Sequence, residues 1–172
     1  MDTSTSTTPE SPLAPRVIAL ATVAAQAAAI DELIAMARHH IQVFDQDLSQ
    51  TGWSSAARTD RLAAFLRDVR GRRLDIIVHD TRYLQISCPR LVRLLQNYGH
   101  VMSILRTGDD AHVATDPLVI VDNAHYLHRF HFDQPRATLG IAQAEQTRLL
   151  TSRFEEIWAT GQSGVSGTVL GL

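Results

Sequence analysis

The sequence predicts an α/β domain, a mixed parallel and antiparallel sheet with helices on both faces. Two features of the pattern predict it. In the first two thirds of the chain, short apolar runs alternate with helical periodicity, which calls for parallel strands joined by right-handed crossovers. In the last third, apolar runs follow one another across short turns, which calls for antiparallel hairpins. A third observation concerns size. The chain has 172 residues, 45% hydrophobic and 20% charged, enough for one core without a disulfide or metal staple.

Residues 1–14 are rich in Ser, Thr and Pro and read as a disordered tail ahead of a domain over 15–160. The run RVIALAT from Arg16 is the first strand. Thr22 is an N-cap for a helix over 23–38, in which Ile30, Leu33, Ile34 and Ala37 share one face. Residues 40–48 form the next strand, apolar on both faces. A helix over 55–70 follows, with Leu62, Phe65, Leu66 and Val69 as its stripe and Gly71 as its stop. Residues 74–79 are the third strand. Pro89 opens a helix that carries Leu91, Leu94, Leu95 and Tyr98 and ends at Gly99. Strands at 101–105 and 118–122, a turn at Asn123 and a returning strand at 126–132 come next. Residues 137–142 add an edge strand, and a last helix spans 145–159. The tail 161–172 is Gly/Ser-rich with an apolar end, TVLGL, expected to be flexible and to dock on this chain or a neighbour.

A formal charge of −2 gives no general attraction to nucleic acid or anionic lipid. The apolar run from Val17 to Ile30 is too short to span a bilayer. The first residues lack a basic segment of the secretory type, so a cytoplasmic location is expected. Cys88 is the single cysteine and reads as a small buried apolar residue. All 16 basic residues are Arg. The helix over 55–70 presents Arg58, Arg61, Arg67 and Arg70 as a basic face, partly offset by Asp60 and Asp68, which gives a weak nucleic-acid reading.

The most informative segment is TDPLVIVD, residues 115–122. It has the outline of an H-x-K-x4-D motif in which Thr115 stands at the histidine, Pro117 at the lysine, and Asp122 alone is kept. With the hairpin NAHYLHRFHF and the closing helix RFEEIW, where Phe154 and Trp158 fall four apart, the chain resembles one half of the phospholipase D superfamily over residues 20–160. It is most similar to a bacterial branch of that superfamily without an assigned role. The resemblance implies a phospholipase D-like single half and a homodimer paired across the motif face. It also implies that the family's chemistry is gone. That chemistry needs a histidine nucleophile, a second histidine as acid and lysines on the phosphoryl oxygens. Thr115 and Pro117 supply neither. Losing both removes on the order of 10⁶ of rate enhancement.

The remaining polar residues give the site candidates. His125, Arg129 and His131 share one face of an extended strand, with His128 on the other and His112 upstream. They read as an anion-binding face, a partial metal site or a solvated structural face. H-x2-H-x2-H is not a zinc spacing, so neither metal nor cofactor is expected. Asp45, Asp47, His79 and Asp80 end their strands and are expected to meet Asp122 at one rim, because open α/β sheets bind ligands at strand ends. Trp53 either lids that rim or packs, and Arg72-Arg73 read as a solvated turn. The sequence thus points to a non-catalytic module that binds a protein partner or small anion near Asp122, with Arg129 and His131 as contacts. The alternatives are a phosphodiesterase in which His79, His112 or His125 replaces the nucleophile, and a weak nucleic-acid binder.

Overall fold

A computed structural model describes residues 12–68 and 70–165. The expected tail over 1–11, the stripe residue Val69 and the apolar end TVLGL lie outside the described residues. Among those residues, eight strands form one sheet: β1 (Arg16–Leu20), β2 (His40–Asp45), β3 (Arg73–Val78), β4 (Met102–Arg106), β5 (Leu118–Val121), β6 (His125–Arg129), β7 (Ala137–Ile141) and β8 (Gln162–Ser163). Their order is β1-β7-β6-β5-β2-β3-β4-β8. The pairs β2–β3 and β3–β4 are parallel, and the others are antiparallel.

Helix α1 (Val23–Met36) starts where the Thr22 hydroxyl accepts the Ala25 N–H at 3.1 Å. Helix α2 (Ala56–Asp68) runs to a turn at Gly71, whose φ of +86° suits glycine. Helix α4 (Pro89–Tyr98) has proline in its first turn, as expected, and the short α3 (Arg82–Ser87), which the sequence reading did not resolve, precedes it. Helix α5 (Ala144–Ala159) closes the fold. The first core packs Ile30, Leu33 and Ile34 of α1, Leu62 and Phe65 of α2 and Leu91 and Leu94 of α4 against one sheet face. The second packs Leu150, Phe154 and Ile157 of α5 against Phe44, Ile77, Leu118 and Ile120 on the other. The sheet therefore has helices on both faces. Cys88 is buried in the first core.

Two strand placements correct the sequence reading. β1 does not join the parallel group but pairs antiparallel with β7 at the far edge. β7, expected at an edge, lies between β6 and β1. Both follow from β5, which enters beside β2 antiparallel and takes the position a parallel β1 would have held. Phe154 and Trp158 are stacked at 5.6 Å, an i, i+4 helix pair. No helix among the described residues is long and apolar enough to cross a membrane.

Candidate functional site

The motif strand β5 fixes two rims. Its register against β2 sets Val121 opposite Ile41 and Leu118 opposite Phe44. The end carrying Asp122 therefore lies at the start of β2, while Thr115 and Pro117 lie at the end of β2. Asp122 does not meet Asp45, His79 or Asp80, and this corrects the expected single rim. The physical reason is strand direction: ligand sites gather at strand C-termini only where the strands are parallel.

Asp122 is committed to the backbone. One carboxylate oxygen accepts the Arg38 N–H, and the other accepts those of His39 and His40, all at 2.8 Å. Asp122 and Asn123 have φ of +54° and +53° in the turn between β5 and β6, a conformation Asp and Asn tolerate better than most side chains. The residue that survives from the motif thus clamps the entry of β2 and shapes a hairpin.

At the opposite rim the residues are held as firmly. His79 Nε2 lies 2.7 Å from the Ala114 carbonyl, so it carries the proton. Nδ1 then accepts from the Thr107 hydroxyl at 2.5 Å. Burial pushes its pKa down, with the nearby His112 adding to the fall and the bond to Ala114 opposing it. The ring is neutral with both nitrogens engaged, and it packs edge-on against Phe44, His112 and Phe132. Arg129 is buried. Its Nε donates to the Gln134 carbonyl, Nη1 to Gln50 Oε1 and Nη2 to the Phe132 carbonyl, each at 2.6 Å. β6 ends at Arg129, so His131 does not continue the strand face with His125. It sits in the following turn, where Nδ1 accepts the Asp133 N–H. His125 and Arg129 are at opposite ends of β6, about 13 Å apart at strand rise.

Asp45 sits between these groups. One carboxylate oxygen accepts the Gln46 N–H at 2.7 Å. Burial pushes its pKa up to about 6 against that hydrogen bond, while Asp47 raises it further and Arg129 lowers it. Asp45, Arg129, Gln26, Thr51, Trp53 and Pro117 line a cavity of about 20 Å³, room for roughly one water. Trp53 is buried, with the Arg58 guanidinium 5.0 Å over its ring, so it packs rather than swinging as a lid. Asp80 is turned outward onto Arg82, whose hydrogen bonds hold the carboxyl below its usual range.

The rim at the end of β2 therefore brings together Asp45, His79, His112, Arg129 and His131, and leaves Asp122 and His125 at the other. Sequence reasoning missed a cluster beside the motif on the α5 face. Asp116 accepts from His128 Nε2 and Arg153 Nε, each at 2.9 Å. Burial pushes the Asp116 carboxyl up, but these two partners outweigh it and leave it lowered. Alternation along β5 placed Asp116 opposite Thr115 and Pro117, yet nothing local linked it to Arg153, 37 residues on. The basic face expected on α2 also needs correction. Arg58 is 2% exposed, bonds Asp31 and donates to the Thr51 and Ala27 carbonyls. Arg72 is no loose turn residue either: it donates to the Arg38 and Phe65 carbonyls. Among the described residues no three His, Cys, Asp or Glu side chains are grouped to hold a metal.

Comparison with known proteins locates this arrangement. A family model described as Domain of unknown function (DUF7931) matches residues 22–166. No curated protein matches the chain. Among solved structures, Nuc, a phospholipase D family member from Salmonella typhimurium, is similar with a TM-score of 0.61 and 16% identity, over 89% of this chain and 100% of that one. NucT from Helicobacter pylori is similar with a TM-score of 0.58 and 11% identity, over 87% and 99%. TrmBL2, an archaeal chromatin protein with a novel mode of DNA binding, gives 0.64 and 14% over 86% of this chain. The chain spans only 55% of TrmBL2. The fold is that of phospholipase D family structures.

Proposed function

The chain belongs to the DUF7931 family, and we propose that it is a non-catalytic phospholipase D-like domain, a binding or assembly module that pairs with a second copy. The observation that carries this is the filled space behind the motif strand. Thr115 and Pro117 replace the reactive histidine and lysine, and the cavity beneath Pro117 measures only about 20 Å³. A phosphodiester does not fit there. The nearest imidazole, His79, has no free nitrogen with which to attack. The degenerate motif, the cytoplasmic location and the homodimer are parts of the same reading. Val113 and Phe130, 87% and 52% exposed, flank the motif strand and offer an apolar contact for the second copy.

The test is a trapping experiment. The chain is incubated with a phosphodiester, denatured in alkali and weighed intact. The expected mass is that of the unmodified chain, and a phosphoryl adduct on His79, His112 or His125 would refute the proposal. Light scattering is expected to give twice the monomer mass, falling to monomer when Val113 and Phe130 are both changed to Ser. A monomer in the unaltered chain refutes the pairing.

One observation favours a second reading, weak nucleic-acid binding, which the likeness to TrmBL2 raises. Residues 81–108 contain Arg82, Arg90, Arg93 and Arg106 and no acidic residue, and Arg90 and Arg93 are exposed on α4. A mobility shift that falls steeply with salt and is lost on Arg90→Gln/Arg93→Gln supports it. No shift at low salt dismisses it.

A further inference from the structure

The rim opposite the filled cleft holds an open cavity of about 610 Å³, lined by Leu13, Met36, Arg38, Arg72, Asp122 and His125 among others. Its size is that of small-molecule sites, and its two walls differ in character. One wall is apolar, with Pro12, Leu13, Ala35, Met36 and Ala37. The other carries guanidinium groups and an imidazole. His125 is 8% exposed. Its Nδ1 accepts the Ala142 N–H at 2.9 Å, so the proton of the neutral ring sits on Nε2, which has no partner among the described residues. A donor N–H held by a buried side chain and unused within the protein is costly unless something outside accepts it.

Arg72 stands ready in the same way. Nε donates to the Arg38 carbonyl at 2.9 Å and Nη1 to the Phe65 carbonyl at 3.1 Å, and the guanidinium lies 5.1 Å over the Phe65 ring. These contacts fix the plane and leave Nη2 without a partner among the described residues. Asp122, the one acid in the lining, has both oxygens on backbone N–H groups. Arg38 and Arg72 together outweigh its charge.

We infer that this cavity binds an organic anion, with a carboxylate or phosphate head on Arg72 and His125 and an apolar body against Leu13 and Met36. The inference rests on the reading of the chain as a binding module and names the ligand class. It moves the site from the motif cleft to the other rim. The surviving motif aspartate has a part in it through structure, because its hold on residues 38–40 sets the wall from which Arg38 projects.

The test is calorimetric titration of the full chain with hexyl phosphate, hexanoate and inorganic phosphate. At least one of the two amphiphiles should bind at 1:1, and the two arms show which head is preferred. Inorganic phosphate, lacking the apolar body, should bind at least tenfold more weakly. Arg72→Gln and His125→Phe should each weaken the amphiphile about tenfold or more, and Arg148→Gln on α5 should change nothing. If His125→Phe does not fold, the ¹⁵N signals of the His125 imidazole in the unaltered chain serve instead and should move on saturation. Neither amphiphile binding, binding indifferent to Arg72→Gln, unmoved imidazole signals or equal affinity for inorganic phosphate would each overturn the site. Phosphodiester hydrolysis by the same preparation would defeat the non-catalytic reading and leave these titrations to be judged alone.

Discussion

At the residue scale, the fate of Asp122 shows how a catalytic motif decays without being erased. Its carboxylate satisfies three backbone N–H groups and occupies a left-handed position. Asp122→Ala should destabilise the chain by about 3 kcal/mol, since acceptors bound to charge-assisted donors are lost and alanine resists positive φ. Asp122→Asn should cost clearly less, and urea unfolding of the two variants checks the order. Asp45 behaves oppositely. Its folded pKa of about 6 lies above its ordinary 3.8, so the folded state favours the protonated form. That contribution is fully present below about pH 4 and is lost as pH rises through 6. At pH 8 holding the charge there costs about 3 kcal/mol. Asp45→Asn should therefore raise the urea midpoint at pH 8, with the gain shrinking toward pH 4. Asp45 and His79 were legible as a meeting pair because parallel neighbours β2 and β3 end side by side. Asp122 was misplaced because a strand's direction is not written in its own residues.

At the scale of elements, local chemistry was readable and distant pairing was not. Thr22, Gly71, Pro89 and Asn123 each act within a few residues, and each punctuates the chain where expected. β1 pairs with a strand some 120 residues later, and no pattern within RVIAL encodes that partner. Arg58 looked like a surface residue because its helix is otherwise polar. Its true surroundings, Asp31, Thr51, Ala27 and Trp53, come from α1 and the loop before α2. Arg58→Ala should lower stability by about 3 kcal/mol, seen as a drop in Tm, whether or not the chain binds nucleic acid. β7 lies close under β6. A Cβ on Gly140 would come 2.2 Å from the Tyr126 ring, so Gly140→Ala should cost about 2 kcal/mol or more. Adding Tyr126→Leu should recover part of it, which a double-mutant cycle measures.

At the scale of the whole molecule, the sheet separates two functions that the motif once joined in a single strand. The rim with Thr115 and Pro117 is packed shut by Arg129, Gln50 and Trp53. The rim with Asp122 opens onto a large, partly cationic cavity. The filled cleft is the claim on which the rest depends. It is tested most directly by following release of 4-nitrophenolate from bis(4-nitrophenyl) phosphate over hours at micromolar protein. The account predicts a rate equal to buffer for the unaltered chain. A rate above buffer that disappears with His79→Ala, His112→Ala or His125→Ala would contradict it.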